Sequence, residues 1–402
     1  MKILFIGFWG LADPLTLATT FPNLRLLSEL PNIELIRFAT VERYAQEIPA
    51  LKLPFLNTKI SHQPLISRPQ RSLVGTKLEE FMRFPRELAN TVRELAIDVI
   101  IGRGAMAGAL AYLTAQRTGK PFYVESFEPH ADYMLESGVW SRYDPRYIFQ
   151  RFWEGKEKKF AKGLMPVAEN YRRQLQREGL DVNTIITVPC PVNLTDFIPN
   201  AIAGQATRQR LGFAADSTVG IYVGKFGDIY YDAEAFDLFK AAADFFGIAF
   251  RLIILTPNPI SEVHAKLQRV GLLPEQFFVV RAQHHEVPAY LSAADFAFAP
   301  IKPADCRQYC SPVKVGEYWA SGLPVILTEG VGDDSNIIKA EGGGAIFNLL
   351  RPESVPQALQ AIAQQIGRPG YREQVRHLAK RHRSIDLSRK AYKFFFGGSA
   401  IA

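Results

Sequence analysis

Short apolar runs recur along the first half of the chain, separated by polar and glycine-containing segments. Strands are predicted at residues 2–6, 33–38, 98–101 and 121–125. Runs of this length, bounded by turn residues, are typical of buried parallel strands. Helices are predicted to follow several of them, at residues 15–30, 105–116 and 151–162. The alternation predicts an α/β fold in which helices cover a parallel sheet.

The same alternation begins again in the second half of the chain. Residues 219–228 form a strand with its own glycine turn, and further strands are predicted at residues 250–255, 277–280, 296–299 and 325–327. We interpret residues 200–204 as a linker, because two Rossmann-like series flank them. The predicted parts are an N-terminal domain over residues 1–198, a C-terminal domain over residues 205–380 and a final segment over residues 381–402.

The opening strand runs into the glycine turn Gly7-Phe-Trp-Gly10 before the first predicted helix. This is the opening of a Rossmann-like unit, but Gly-x-Gly-x-x-Gly is absent, which disfavours NAD binding. The segment at residues 49–86 is rich in proline and basic side chains, and we interpret it as a surface excursion around helices rather than core. Later, Glu128, His130 and Asp132 crowd a loop beyond the strand at residues 121–125, where open α/β sheets bind ligands.

Composition narrows the class of protein. The 402 residues are 48% hydrophobic, which suits two domains with full cores. No apolar run approaches the roughly 18–20 residues needed to span a bilayer. The N-terminus reads as a strand rather than a signal peptide, and three cysteines, Cys190, Cys306 and Cys310, are too few for a disulfide framework. We therefore expect a cytoplasmic protein.

The net charge of +7 comes from clustered basic side chains. The clusters lie at residues 66–93 and 151–177 and in the tail at 372–393, where residues 394–396 add three phenylalanines. They lack the interleaved aromatics and motifs of a nucleic-acid site, so no nucleic-acid partner is predicted. Three interpretations fit the clusters. They could bind the inner face of an anionic membrane or a lipid-phosphate acceptor, or they could be ordinary solvated helix faces. The phenylalanines could lie in a bilayer interface.

A loop, helix, turn and strand follow one another at residues 310–328. Ser311 is expected to cap a helix whose first residue is Pro312. Backbone N–H groups and the helix dipole attract an anion there, so a diphosphate could bind with Lys314 as its counter-charge. Glu317 shares that face and could accept the two hydroxyls of a ribose. The alternative is an amphipathic helix with a Lys–Glu surface pair.

The pattern Ser-Pro-x-Lys-x-x-Glu followed by Gly-x-Pro-Val resembles the nucleotide-binding signature of retaining GT-B glycosyltransferases, the group 1 or GT4-like family. The acidic, glycine-rich loop at residues 329–334 is similar to that of the bacterial surface-polysaccharide branch. The resemblance implies two Rossmann-like domains facing a cleft, with a C-terminal helix that crosses back to the first domain. It also implies a nucleotide diphosphate sugar donor of the UDP or GDP type, a glycan or lipid-linked acceptor, and neither cofactor nor metal.

The resemblance also assigns roles to single residues. Lys225 and Lys314 would stabilise the departing diphosphate, and His130 would contact the sugar or the acceptor. Predicted substrate contacts are Gly10, Glu128, Gly224, Gln283, Tyr309, Ser311, Pro312, Val313 and Glu317. Tyr309 stands where the family often has an acid that touches the donor sugar, so retention of configuration is implied by resemblance alone.

Two other functions also fit the sequence. A non-catalytic nucleotide-sugar-binding subunit and a nucleotide-sugar 2-epimerase would share the fold. His284 and His285 suggest a metal, but adjacent histidines on a strand point to opposite faces. We therefore predict that residues 281–283 lie beside the nucleotide base instead.

Overall fold

The computed structural model describes residues 1–13, 16–43, 50–55 and 57–397. The chain divides into two compact units, the first formed by Met1–Pro191 and the C-terminal segment from Ile385, the second by Val192–Ser384. The division therefore falls after residue 191 rather than after residue 198. The predicted helix start at residue 15 and residues 398–402 of the predicted final segment lie outside the described residues.

The first unit contains a six-stranded parallel sheet. Its strands are β1 (Lys2–Gly7), β2 (Leu35–Glu42), β3 (Ile60–Ile66), β4 (Val99–Arg103), β5 (Phe122–Phe127) and β6 (Gly163–Pro166). They lie in the order β3-β2-β1-β4-β5-β6. Residues 3–6 of the central strand β1 are fully buried, because helices cover both faces of the sheet.

The helices of the first unit follow its strands. They are α1 (Phe21–Ser28), α2 (Leu73–Glu94), α3 (Ala105–Thr118), α4 (His130–Glu136), α5 (Pro145–Phe160) and α6 (Glu169–Arg177). The interpretation of residues 49–86 as a surface excursion was wrong in part, because this segment supplies strand β3 and the start of α2. Pro64 hid the strand, since proline lacks a ladder donor. It is tolerated there because β3 is the edge of the sheet.

The second unit repeats the architecture. Its strands are β7 (Thr218–Val223), β8 (Phe250–Leu255), β9 (Phe277–Val280), β10 (Phe296–Ala299), β11 (Val325–Thr328) and β12 (Gly344–Phe347). All pair in parallel, in the order β12-β11-β10-β7-β8-β9. In both sheets the strand order reverses direction beside the first strand, between β1 and β4 and between β7 and β10. Open α/β sheets bind ligands beyond the carboxyl ends of the strands at such points.

The helices of the second unit begin where the linker was predicted. They are α7 (Ala201–Arg210), α8 (Ala233–Phe246), α9 (Ile260–Arg269), α10 (Val287–Ala293), α11 (Val313–Ala320), α12 (Asp334–Glu341), α13 (Ser354–Ile366) and α14 (Tyr371–His382). Residues 200–204 are therefore no linker. The Asn200 side chain caps α7 by accepting the N–H of Ala203 at 3.0 Å. Gly204 then packs on α10, where a Cβ would lie 2.3 Å from the Ser292 carbonyl oxygen.

A C-terminal helix, α15 (Asp386–Phe396), belongs to the first unit. Its Tyr392 hydroxyl donates to the buried carboxylate of Glu125, and Arg389 forms an ion pair with Glu29 at 2.8 Å. Phe395 lies against the ring of Tyr123, with centroids 5.3 Å apart. Of the three phenylalanines that could have entered a bilayer, Phe395 and Phe396 therefore pack inside the unit. Among the helices that the structure describes, none is both long and apolar enough to cross a membrane.

Candidate functional site

Helix α11 begins at the strand-order reversal of the second sheet, after the loop that leaves β10. Pro312 keeps an extended backbone, with ψ 115°, and holds the N-cap position. The helix therefore starts at Val313, one residue later than predicted, and Ser311 is not its N-cap. The Ser311 hydroxyl instead accepts a hydrogen bond from the guanidinium of Arg383. The first N–H groups of α11 have no partners within the helix, as at any helix start.

Lys314 lies in the first turn of α11 and points its amine into the protein. The Nζ atom is buried, and none of the described residues accepts a hydrogen bond from it. Burial lowers the pKa of Lys314 to about 7, and the carboxylate of Glu317 opposes that shift. The amine lies near the faces of two tyrosines, 4.0 Å from the ring centroid of Tyr230 and 4.7 Å from that of Tyr222. A buried amine without an acceptor is costly, which marks this position as suited to an anion.

The glycine turn after β7 reaches the same amine. Gly224 has φ +143°, and a Cβ there would lie 2.5 Å from the Lys314 Nζ. Only glycine allows this close approach of main chain and ammonium. Lys225, the next residue, is exposed and forms an ion pair with Asp228 at 2.6 Å. The structure therefore brings Gly224 and Lys314 together, with Lys225 in the adjoining turn.

Glu317 lies one turn further along α11. Its Oε1 is 3.4 Å from Nε2 of His284, and this carboxylate raises the pKa of His284. The His284 ring also meets Phe197 edge-on, with centroids 5.8 Å apart. His284 and His285 lie on a 3₁₀ turn, His284–Glu286, so the prediction that they lie on a strand was wrong. Gln283 immediately precedes that turn.

The loop before α11 is a 3₁₀ helix, Asp305–Tyr309, that includes the predicted contact Tyr309. The loop is tied to the glycine-rich segment at residues 329–334, because the carbonyl of Arg307 accepts the N–H of Gly332 at 2.8 Å. In that segment, Lys339, Asn348 and Arg351 lower the pKa of Glu329 to about 2. The glycine-rich segment thus holds the loop in place through a main-chain hydrogen bond.

A buried ion pair that the sequence analysis did not predict anchors the start of α11. Arg383 donates two hydrogen bonds to the carboxylate of Asp334 and one to the Ser311 hydroxyl. Both charged side chains are almost completely buried, at 3% and 1% exposure. Gly316 lies against the aliphatic part of Arg383. Only the long-range fold brings these residues together, so no local pattern could have revealed the anchor.

The predicted residues of the first unit lie at the carboxyl ends of β1 and β5. His130 is the first residue of α4, and burial lowers the pKa of its imidazole. The backbone N–H of His130 donates to the carbonyl of Glu128 at 2.9 Å, and the His130 ring packs edge-on against Trp140. Gly10 follows β1, where a Cβ would lie 2.7 Å from the Glu42 carboxylate. Packing alone accounts for that glycine, and its predicted substrate contact stays a prediction.

The second unit matches a known protein family. Residues 218–366 match the family model for group 1 glycosyl transferases. This match contains the glycine turn after β7 and the whole of α11. The second unit carries a group 1 glycosyl transferase domain.

Relatives of this chain cover most of its length. A UDP-N-acetylglucosamine--N-acetylmuramyl-(pentapeptide) pyrophosphoryl-undecaprenol N-acetylglucosamine transferase of Mycobacterium sp. (strain JLS) is 25% identical over 334 residues, 78% of this chain and 77% of the relative. Sucrose-phosphate synthase from Thermosynechococcus elongatus has a similar structure, with a TM-score of 0.72, 16% identity and coverage of 99% of this chain and 100% of that one. Anabaena Alr3699/HepE, solved in complex with UDP, gives a TM-score of 0.68 at 13% identity and covers 97% of this chain and 98% of its own.

These likenesses confirm the predicted GT-B fold. They leave the individual site residues as predictions. Within the second unit the structure groups Gly224 with Lys314 at the start of α11 and places Glu317 beside His284, next to Gln283. His130, Glu128 and Gly10 belong to the first unit. The two tyrosines around Lys314 were missed, since nothing in their local sequence pairs them with a lysine of another element.

Proposed function

We propose that the protein transfers a sugar from a nucleotide diphosphate sugar of the UDP or GDP type to a glycan or lipid-linked acceptor, in bacterial surface-polysaccharide or glycoconjugate biosynthesis. The observation that carries the proposal is the buried Lys314 ammonium at the start of α11. A diphosphate bound there supplies the hydrogen-bond acceptors that the described residues do not offer this amine.

Charge on the departing diphosphate would be stabilised by three groups. These are the Lys314 ammonium, the Lys225 ammonium in the adjoining turn and the first N–H groups of α11. Preorganised charges aimed at a leaving group are usually the largest contribution to catalysis of this kind. With two lysines and a helix start in this role, the proposed transfer needs no divalent metal and no cofactor.

Residues of the first unit would bind the sugar and the acceptor. Because burial lowers its pKa, His130 carries a neutral imidazole at pH 7, which can hydrogen-bond a sugar hydroxyl without adding charge. We propose that the transfer retains the anomeric configuration, as the family signature around Lys314 and Glu317 implies. Proton NMR of the first-formed product tests this, and an inverted anomeric coupling constant would reject retention.

A lipid-linked acceptor is favoured by the named substrate of the mycobacterial relative, which carries pyrophosphoryl-undecaprenol. Such an acceptor lies at a membrane, and the first unit offers a surface that suits one. Val74, Leu78 and Met82 form an exposed apolar stripe at helical spacing on α2, and Ile148 and Phe152 do so on α5. Exposed Arg68, Arg71 and Arg86 lie close to the first stripe in sequence. We therefore propose peripheral attachment to an anionic membrane at its cytoplasmic face.

The proposed donor site is tested by titration with UDP, GDP and ADP, each with and without EDTA, on the wild type and on Lys314→Gln. We expect one nucleotide to bind with little effect of EDTA, and Lys314→Gln to weaken it by about tenfold or more. Lys380→Gln, which removes an exposed lysine of the second unit, is the matched control and should bind normally. Affinity that collapses on chelation would reject the metal-independent site.

Activity is then tested with the binding nucleotide's sugar forms and a polyprenyl-diphosphate glycan acceptor. Product that appears only with acceptor supports transfer. An epimerised sugar nucleotide formed without acceptor would instead identify a 2-epimerase. Binding without turnover under any of these conditions would favour a non-catalytic subunit.

A further inference from the structure

Two tyrosine rings hold the Lys314 ammonium from different elements. Tyr230 follows the glycine turn, and the Nζ atom lies 4.0 Å from its ring centroid, well within the range of a cation–π interaction. Tyr222 lies on β7, and its centroid is 4.7 Å from the same atom. Such contacts are strongest where the cation is removed from water, as it is here.

Both tyrosines are held by interactions that do not involve the lysine. Tyr222 is fully buried, and its hydroxyl donates to the carbonyl of Lys225. Tyr230 forms an antiparallel bridge with Ile301 at the exit of β10, and its N–H donates to the Gly227 carbonyl at 2.9 Å. The Tyr222 ring and the Tyr230 main chain are therefore held in place, and the two rings form a seat to which the flexible lysine side chain adapts.

The seat places the ammonium beside the backbone of Gly224. An anion that bound against this glycine turn and the start of α11 would reach the amine directly. Without the rings, a lysine side chain with four rotatable bonds would have to lose more conformational freedom when the anion binds. The Lys314 ammonium is therefore already positioned before the anion binds.

We propose that Tyr230 is a positioning residue for the donor, whose ring keeps the Lys314 ammonium at the diphosphate position. This inference rests on the proposed function of the same site. Tyr230 is the residue to test, because it is only half-buried whereas Tyr222 lies in the core.

The charge state of Lys314 gives the proposal a second readout. The groups that act on it are Glu317, which favours the ammonium, and its buried surroundings, which disfavour it. The phenols of Tyr222, Tyr230 and Tyr318 stay protonated, because burial raises the pKa of each. Since the pKa of Lys314 is about 7, the amine loses its charge as the pH rises above 7. Removal of the Tyr230 ring takes away a contact that favours the charged form, so diphosphate affinity should then fall at a lower pH.

The experiment compares the wild type, Tyr230→Phe, which keeps a ring, and Tyr230→Leu and Tyr230→Met, which do not. Calorimetric titration uses UDP and uridine at several pH values between 6 and 9, or GDP and guanosine if the wild type binds that base. We expect Tyr230→Phe to bind the diphosphate within about twofold of wild type and the ring-free variants to bind about 3- to 30-fold more weakly. Nucleoside affinity should change by less than about twofold, because the nucleoside has no phosphate for Lys314.

Several outcomes would overturn the proposal. An equal loss of nucleoside and diphosphate affinity would mean that Tyr230 supports the fold or the base, and an unchanged diphosphate affinity or pH profile would mean that the ring has no role. A loss in Tyr230→Phe as large as in Tyr230→Met would assign the effect to the hydroxyl. Lys314→Gln in the same series separates the two proposals. If it binds the diphosphate normally, the phosphate site itself is wrong, whatever Tyr230 does.

Discussion

Glu317 is the predicted ribose contact, one turn beyond Lys314 on α11. Its carboxylate lies on the same helix as Lys314 and has His284 as a neighbour at 3.4 Å. At that distance the histidine contact is weak, so the carboxylate keeps capacity to accept hydrogen bonds from a ribose. We therefore expect it to bind the sugar of the nucleotide rather than to act as an acid or a base.

Glu317→Gln should weaken ribonucleotide binding by roughly ten- to a hundredfold. The amide keeps the shape but loses the charge assistance, worth on the order of 1.5–3 kcal/mol. Wild type should discriminate against a 2′,3′-dideoxy nucleotide by a similar factor, and the variant should not. Competitive titration measures both, with Glu373→Gln at an exposed site as the control. A variant that still prefers the ribonucleotide as strongly as wild type would show that Glu317 does not bind the ribose.

The residues of this site differ in how far the sequence could reveal them. Helical spacing alone predicts that Lys314 and Glu317 share one face of α11, and their roles stay predictions. Gly224 could be proposed only by resemblance, since it meets Lys314 through the pairing of separate strands. Arg383 was not found at all. A buried ion pair between distant segments leaves no periodicity in the sequence.

Among the elements, α11 depends on its anchor to α12 and to the end of α14. Arg383→Ala would leave the Asp334 carboxylate buried and unpaired, which typically costs about 3–5 kcal/mol. Arg381→Ala removes an exposed pair with Glu341 and should cost less than about 1 kcal/mol. Calorimetric unfolding of both variants measures the difference, and equal melting temperatures would contradict a structural role for the anchor.

Helix α5 supports α4 through a hydrogen bond to the carboxyl group of Glu154, which has a raised pKa. Glu154 accepts the N–H of Ala131 at 2.9 Å, and burial raises its pKa to about 7. The unfolded chain therefore releases this proton at a lower pH than the folded protein. As a result, the stability of the folded state falls as the pH rises from about 4.5 to about 7, and the full penalty is present above that range.

Glu154→Gln should remove that penalty while the amide oxygen still accepts the Ala131 N–H. We expect the variant to be more stable than wild type at pH 8, by on the order of 3 kcal/mol at most, and to lose this advantage near pH 4.5. Melting temperatures across this pH range provide the test. Glu178→Gln, at a half-exposed ion pair, is the control. Glu157, which is also buried with a raised pKa, leaves a residual slope in both variants.

Strand β3 and helix α7 were missed because tertiary contacts, rather than a local sequence pattern, stabilise them. Strand β3 contains Pro64, which is tolerated only because the strand lies at the sheet edge. Helix α7 is short and polar, so its residues looked like a linker until the contact of Gly204 with α10 gave them a packing partner. The central strands β1, β7 and β10 were predictable, because an uninterrupted apolar run is typical of a strand buried on both faces.

At the scale of the whole molecule, the exposed apolar stripes on α2 and α5 predict that the protein binds an anionic membrane. Wild type should sediment with phosphatidylglycerol vesicles at low salt, bind neutral vesicles less and dissociate as salt screens the basic side chains. Replacing Leu78 and Met82 together by serine should reduce binding. The matched control is Leu350→Ser, an exposed leucine of the second unit. If anionic and neutral vesicles bind equally at low ionic strength, the basic clusters are merely solvated.

The chain enters and leaves the second unit at neighbouring positions. The N–H of Val192 donates to the carbonyl of Arg383 at 2.9 Å, and Val192 pairs in parallel with Ser384. The second unit is thus a domain insertion whose two ends are already joined by a hydrogen bond, and excising it would leave no long gap to close in the unit that remains. The second units of related transferases should therefore be exchangeable at this junction with two peptide joins, and the proposed donor site would be exchanged with them, which makes the protein a scaffold for chimaeras of altered sugar-nucleotide preference.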